Sequence, residues 1–511
     1  MKKICNTRMM KELEAMAGSH GISPLILMEN ASIGVVNCIK KLMEVKNRKI
    51  LVVCGRGNNG GDGMAVARHL KNSGADVSVI LVDDDKKFSG ETEVNFNILK
   101  NIGIQIILSS ENIEKINFLF NSSEILIDAI FGTGLTREVG GVYRELIEKI
   151  NRSGKYVVSI DIPSGVNSDT GEVMGIAVKS NLTVALGYLK LGHLLFAGRE
   201  YCGDVEVVDI SLSCPLKTNY FLIDEEEKSI LKKRGLNTHK GTYGHMVVIG
   251  GSKGKTGAPA MAAKAGLRAG AGLVTVVCPE DLNNILETLS LETMTYPLKG
   301  SSCFLDAEFL NGLEEFLLDK ECIVLGPGMG QNEKTTNFFQ RLLGFIKCPV
   351  VIDADGLNCL SMNKDLLKNL KSQIILTPHP GEMARLVGEN ISCILNKPLD
   401  YAVQFAKEYN CHVVLKGATT IYADPWGNVY FSTYGNPGMA TAGTGDVLSG
   451  IIGSFIAQKY DVKESILISL LLHGMAGNLA KNEVGEYGLN ATDIIKAVPL
   501  VLKKWEVSNG C

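Results

Sequence analysis

The residues best placed to do chemistry sit in short turns that follow apolar runs. Gly55–Gly63 reads GRGNNGGDG, directly after the apolar stretch Lys49–Cys54 and directly before a helical pattern. Glycine lets the backbone come close to a ligand, and the free N–H groups at a helix N-terminus favour an anion. The core Asn58-Asn59-Gly60-Gly61-Asp62 sets two amides and a carboxylate among the glycines. That is neither a G-x-G-x-x-G dinucleotide turn nor a Walker A loop. LIDAIFGTGL at Leu126–Leu135 and SIDIPSG at Ser159–Gly165 end further apolar stretches with polar groups. In an open α/β sheet, ligands lie outside the carboxyl ends of the strands, so Asn59, Asp128, Gly132–Glu138, Asp161 and Ser164 are expected to converge on one crevice. Asp128 alone could cap a helix and Asp161 could form a turn. Three such loops at successive strand ends make that joint reading the poorer one.

A second set occupies the C-terminal half: HKG-x-x-G at His239–Gly244, GGSKGKTGAP at Gly250–Pro259, LGPGMG at Leu325–Gly330, VIDADGLN at Val351–Asn358, TPHPGEM at Thr377–Met383, KGATT at Lys416–Thr420 and AGTGD at Ala442–Asp446. AGTGD opens an apolar helical stretch, so the amides of Thr444, Gly445 and Asp446 would form an anion hole with Asp446 as a base at its edge. The plainer alternative is a capped helix start, since Asp is a favoured N-cap. GSKGKTG has the composition of a Walker A loop but the wrong spacing, and is given no chemistry. His379 alone would be a structural or capping histidine.

These turns need strands and helices to hold them. Lys49–Cys54 (KILVVC) has the unbroken apolar pattern of a strand buried on both faces. A helix is expected from about Met64 to Gly74, strands at Asp76–Val82, Gln105–Leu108 and Glu124–Ile130, a helix at Val142–Asn151 and a strand at Tyr156–Ile160. This βαβ rhythm predicts a doubly wound parallel sheet, closed by short strands within 178–209. The rhythm breaks in the charged stretch DEEEKSILKKRGLN and then restarts. Strands follow at His245–Ile249, Leu273–Cys278, Cys322–Leu325, Val350–Asp353, Ile374–Leu376 and His412–Lys416, with helices at Ala258–Ala269 and Val447–Gln458. The expected organisation is a first domain over 1–215, a linker over 216–236 and a second domain over 237–511.

Composition narrows the class. A chain of 511 residues exceeds the reach of one hydrophobic core. Its 45% hydrophobic and 21% charged residues are those of a globular protein. A net charge of −3 argues against a dedicated nucleic-acid or membrane-surface binder. The 13 cysteines show no C-x-x-C pair, as expected of free thiols in a reducing compartment. Met1–Ala17 reads as a charged amphipathic helix without the apolar core of a signal peptide. No apolar run approaches the roughly 20 residues needed to span a bilayer. The cytoplasm is the expected location, with neither nucleic acid nor membrane as a partner.

GNNGGDG, DAIFGTGL and DIPSGV, with LMENA upstream at Leu27–Ala31, resemble the NAD(P)H-hydrate epimerases over most of residues 1–215. The resemblance implies a Rossmann-like fold and a potassium ion held by Asn59, Asp128 and Ser164. It implies hydrate contacts from Asn58, Asn59, Gly60, Gly61 and Asp62, from Gly132, Thr133, Gly134, Leu135, Thr136, Arg137 and Glu138, and from Asp161. The reaction it implies inverts the hydroxyl-bearing sixth carbon of the reduced nicotinamide ring, with Asp161 as acid/base; loss of hydroxide and ring opening both remain open as routes. Lys190, in GYLKLG, falls in the family's lysine-containing turn.

The second half resembles the ribokinase-like superfamily, and within it the ADP/ATP-dependent NAD(P)H-hydrate dehydratases over about residues 235–505. Vitamin and sugar kinases of that superfamily tend to carry Thr-Pro-Asn ahead of the glutamate, where this chain has Thr377-Pro378-His379-Pro380-Gly381-Glu382. The resemblance implies nucleotide on Lys416, Gly417, Ala418, Thr419, Thr420 and Gly445, and hydrate on Ala258, Gly330, His379 and Asp446. Asp446 would be the base, with a magnesium ion accompanying ADP and Glu382 as its indirect holder. NAD(P)H hydrate and ADP are the expected small-molecule partners, and the chain is expected to form a homo-oligomer. A vitamin kinase and a non-catalytic dinucleotide sensor are the competing readings.

Overall fold

The computed structural model describes residues 1–82, 88, 90–111 and 113–509. By its internal contacts the chain divides into two compact units, one of Lys3–Thr218 and one of Asn219–Cys511 with Met1–Lys2.

The N-terminal unit is built on a parallel sheet in the order Gln105–Leu108, Asp76–Leu81, Lys49–Cys54, Ile125–Ala129, Tyr156–Ile160, Leu182–Leu186 and Asp204–Val208. The apolar run KILVVC is explained by cover on both faces. Ile50, Val52 and Cys54 join one core, and Leu51 and Val53 join the other. Sequence order reverses between Lys49–Cys54 and Ile125–Ala129, so a crevice opens beyond their carboxyl ends.

The helix that follows Lys49–Cys54 spans Asn58–Asn72, beginning well before the expected Met64. Most of the glycine-rich run is therefore helix rather than loop. The reason is close packing: a Cβ on Gly60 would lie 1.9 Å from the Gly55 carbonyl oxygen, and one on Gly63 would lie 2.4 Å from Ala129 Cβ. Glycine is a poor helix former, and here tertiary contact overrides its propensity. The N-terminus also departs from expectation. Lys2–Cys5 is a strand, with Ile4 and Cys5 paired in parallel to Leu189 and Lys190, and the helix spans only Thr7–Ser19. Asn6 stops the helix from reaching back, because its side chain accepts from Met9 N–H as an N-cap.

The C-terminal unit carries parallel strands in the order Met294–Leu298, Leu273–Pro279, His245–Ile249, Cys322–Leu325, Val350–Ile352, Ile374–Leu376 and His412–Leu415. An antiparallel pair, Thr420–Ala423 and Val429–Ser432, extends the sheet, and Tyr220–Leu222 lies parallel beyond it. Residues 219–236 thus supply a strand and a short 3-10 helix, Glu225–Ile230, to this unit. The helix Thr444–Ala457 is almost wholly buried against Gly257–Arg268. A Cβ on Gly450 would stand 2.1 Å from the Ala262 carbonyl oxygen, so two small-residue faces set how closely these helices approach. Among the described residues no single helix is long and apolar enough to cross a membrane.

Candidate functional sites

In the N-terminal unit the reversal of strand order opens a cavity of about 650 Å³. Asn58, Asn59 and Asp62 line it from one helix, Gly132, Thr133, Gly134, Leu135, Thr136 and Arg137 from the turn after Ile125–Ala129, and Asp161 from the end of Tyr156–Ile160. Gly60 and Gly61 stand behind this wall, Gly61 against the Met28 side chain, and neither they nor Glu138 border the cavity.

Asp128 and Ser164 lie beneath it, both fully buried. The Asp128 carboxylate accepts from Ser159 Oγ at 2.7 Å, Ser164 N–H at 2.9 Å and Ser164 Oγ at 2.5 Å. Burial nonetheless pushes its carboxyl up from the ordinary range, outweighing those donors. Ser164 has one hydroxyl hydrogen but two acceptors in reach, Asp128 and the Phe131 carbonyl at 3.2 Å. Asn59 is buried too, and neither its amide nitrogen nor its amide oxygen has a hydrogen-bond partner among the described residues. An orphaned buried amide costs about 1–3 kcal/mol and calls for an ion or a ligand. Oxygen donors of this kind fit a hard cation such as potassium and do not fit zinc.

Asp161 has a left-handed backbone, φ +66°, unusual for a residue other than glycine. A buried network holds it there. Lys190 Nζ donates to Asp161 Oδ1 at 2.5 Å and to the Leu186 carbonyl at 2.7 Å. His193 Nδ1 accepts from Lys190 N–H, so Nε2 carries the hydrogen and donates to the Asp161 carbonyl at 2.8 Å. Burial lowers the His193 pKa to about 4, which keeps the ring neutral and this arrangement intact. His193 was not singled out in the sequence; its only signal is its place three residues after Lys190. Lys190, noted there without a role, borders the cavity as the cation beside Asp161.

In the C-terminal unit the decisive feature is the start of Thr444–Ala457. Gly443, φ +90°, is the residue before the helix, and among the described residues no side chain caps it. Asp446 lies within the first turn, so its carboxylate does not serve as the cap and the leading amides are left for an anion. Burial, aided by the Asp353 carboxylate, pushes the Asp446 carboxyl up to about 7. Lys416 Nζ pairs with Asp353 Oδ1 at 2.8 Å, stands 4.0 Å from Glu382 Oε2, and lies 3.0 Å from where a Gly445 Cβ would be. Lys416, Gly445 and Asp446 are therefore neighbours. Burial disfavours the Lys416 ammonium, but Asp353 and Glu382 outweigh it and raise its pKa. The second Asp353 oxygen is buried without a hydrogen-bond partner among the described residues.

His379 caps the helix Pro380–Val387. Its Nδ1 accepts from Gly381 and Glu382 N–H, and Glu382 in turn accepts from His379 N–H at 2.8 Å. The ring is half exposed, and Nε2, its other nitrogen, stands 3.4 Å from Glu382 Oε1. Gly330 N–H donates to Asp355, which also binds Gln331 and Lys255. Lys255 lies in the loop that runs into Ala258, and a Cβ on Gly328 would touch Ala258 Cβ at 3.2 Å. Ala258 and Gly330 are thus brought together by Asp355. Asp353 and Asp355 flank Ala354, whose φ of +51° turns the two carboxylates to different partners. The sequence flagged DADG as a motif but gave neither aspartate a role. Thr420 starts the strand Thr420–Ala423, and Gly417 and Ala418 are exposed in the turn before it.

Comparison with known proteins adds to this geometry. The family described as NAD(P)H-hydrate dehydratase matches residues 246–500, and the family described as the YjeF-related protein N-terminus matches residues 24–192. A bifunctional NAD(P)H-hydrate repair enzyme of Moorella thermoacetica is 37% identical over 508 residues, covering 97% of this chain and 96% of that protein. A protein of the same description from Escherichia coli is 34% identical over 460 residues, covering 89% and 85%. An ADP/ATP-dependent NAD(P)H-hydrate dehydratase from Bacillus subtilis, crystallised with ATP and Mg2+, superimposes with a TM-score of 0.50 at 28% identity, covering 57% of this chain and all of that one.

Proposed function

The chain belongs to the bifunctional NAD(P)H-hydrate repair enzymes, and from that membership we propose how its two sites divide the repair of hydrated nicotinamide cofactor. The N-terminal unit interconverts the two epimers of the hydrate. The C-terminal unit dehydrates one of them at the expense of ADP, giving NAD(P)H, AMP and phosphate. The cytoplasm, where free cofactor and ADP meet, is the proposed compartment.

In the epimerase site the hydrate occupies the 650 Å³ cavity, bordered by Asn58, Asn59, Asp62 and the turn Gly132–Arg137. Asp161 is the acid/base at the hydroxyl of the sixth carbon, and Lys190 holds the Asp161 carboxylate in place. Asn59, Asp128 and Ser164 hold potassium. Bound there, the ion supplies a fixed positive charge that orients the hydrate and answers the orphaned Asn59 amide.

In the dehydratase site the free amides of Thr444, Gly445 and Asp446 hold the phosphoryl group being transferred, with Lys416 beside them. Asp446 takes the proton of the ring hydroxyl, whose oxygen attacks the terminal phosphoryl of the nucleotide. The ring-nitrogen lone pair then expels phosphate, a far better leaving group than hydroxide, and loss of a proton from the neighbouring ring carbon converts the resulting C=N to the C=C that restores the dihydropyridine. Magnesium bound with the nucleotide neutralises phosphate charge. Glu382 and the unpartnered Asp353 oxygen are the acids that would hold it, directly or through water. Ala258, Gly330 and His379 bound the hydrate side.

The observation that carries this reading is the uncapped helix start with Asp446 in its first turn and its carboxyl pushed up to about 7. The test supplies hydrated NADH and ADP and follows dihydropyridine absorbance together with AMP and free phosphate. All three should rise in equal amounts. A stable phosphorylated product in place of free phosphate would leave a kinase.

A further inference from the structure

We propose that Asp62 is the proton donor of the epimerisation site, delivering a proton to the hydroxyl that leaves the hydrate while Asp161 takes one from the water that returns. The inference rests on the epimerase reading above. Asp62 is 7% exposed and borders the cavity. Its near neighbours in charge are Asp161 and Glu14, which also border the cavity, together with Lys190, and the buried Cys54 thiol lies on the side away from it. Among the described residues Lys190 is the one cation whose charge bears on Asp62, and it is committed to Asp161; Lys11 bears on Glu14, and Arg56 and Arg137 border the cavity elsewhere. The contrast with the other two buried aspartates is direct. Asp128 draws on Ser159 and Ser164, and Asp161 on Lys190 and Leu186 N–H. Among the described residues no hydrogen bond or ion pair reaches the Asp62 carboxyl. A carboxyl so placed keeps its proton, and burial with Asp161 and Glu14 alongside raises its pKa well above the ordinary range. Two carboxyls in one cavity with environments that differ in this way divide into acid and base.

The steps balance. Asp62 gives its proton to the hydroxyl on the sixth carbon; the C–O bond breaks, its electron pair leaves with oxygen as water, and the ring-nitrogen lone pair closes a C=N bond. Water then adds to the opposite face, the C=N pair returns to nitrogen, and Asp161 takes the proton that water releases. The two carboxyls end with exchanged protonation. Turnover of the opposite epimer, or proton exchange through cavity water, resets them. The inference selects loss of hydroxide over ring opening, because only that route needs an acid at the departing oxygen.

The test uses the full-length chain, one epimer of hydrated NADH and no nucleotide, with the other epimer followed by chromatography. Asp62→Asn keeps the size of the side chain but has no carboxyl proton to give. Its kcat should fall by a factor on the order of 10²–10⁴, with KM little changed. Asp62→Glu, which restores a proton, should recover much of that loss. ADP-driven dehydration by the same preparations should equal wild type. The proposal is overturned if Asp62→Asn turns over like wild type, if the loss lies in KM, or if Asp62→Glu is folded and no better than Asn. A wild-type chain that fails to interconvert the epimers overturns the epimerase reading itself. Should Asp62→Asn lose its fold by circular dichroism, Asp62→Glu alone decides.

Discussion

At Asp446, burial and the Asp353 carboxylate push the carboxyl up to about 7, and a base must be deprotonated to act. The value of kcat/KM for dehydration should therefore climb with pH through about 7 and level off above it, since that parameter reports the free enzyme. A profile already flat at pH 5 would remove Asp446 as the titrating base. Asp446→Asn keeps the shape of the turn and removes the base, so dehydration should drop by a factor on the order of 10²–10⁴. Nucleotide binding, measured by calorimetry, should survive because the amides are unchanged. Epimerisation should be untouched. In the other unit, Asp128→Ala removes the carboxylate that Ser159 and Ser164 share as acceptor. It should abolish epimerisation and its dependence on potassium, while dehydration of the competent epimer continues. Equal loss of both activities would mean general unfolding instead.

Among the elements, the glycine where Thr444–Ala457 crosses Gly257–Arg268 makes the sharpest prediction. A methyl at Gly450 would meet the Ala262 carbonyl oxygen at 2.1 Å, and neither helix backbone can yield. Gly450→Ala should destabilise the C-terminal unit by about 1–3 kcal/mol in urea unfolding, the usual cost of overpacking. An unchanged midpoint would show that the helices slide apart freely. The same contacts explain where the sequence was legible. Parallel strands such as Lys49–Cys54 and His245–Ile249 were plain, because cover on both faces demands unbroken apolar runs. The polar turns after Lys49–Cys54, Tyr156–Ile160 and His412–Leu415 drew attention to Asn59, Asp161 and Lys416, and the glycine-rich turn before Thr444–Ala457 drew attention to Asp446. The early start of Asn58–Asn72 was hidden, since Gly60 and Gly63 argue locally against a helix that only tertiary packing enforces. The strand at Lys2–Cys5 was hidden because its partner, Leu189–Lys190, is remote in sequence. His193, Asp353 and Asp355 escaped for a related reason: their roles are hydrogen bonds to residues that only the fold brings near.

For the molecule as a whole, each unit carries its own sheet and its own set of candidate site residues, so the two proposed activities draw on separate residues. The helix start at Thr444 has one more consequence, and it concerns heat. With no side-chain cap on that start among the described residues, a nucleotide phosphate bound there as proposed would act as a removable cap. Ligand held by the native state alone adds about 2.7 kcal/mol at a concentration 100 times its Kd. In scanning calorimetry, ADP with magnesium should move the melting of the C-terminal unit upward and leave that of the N-terminal unit where it was. Potassium should do the reverse. The two additions would then label two endotherms in one chain, each named by the small ion or nucleotide that shifts it. A single transition moved by both would mean that the units melt as one.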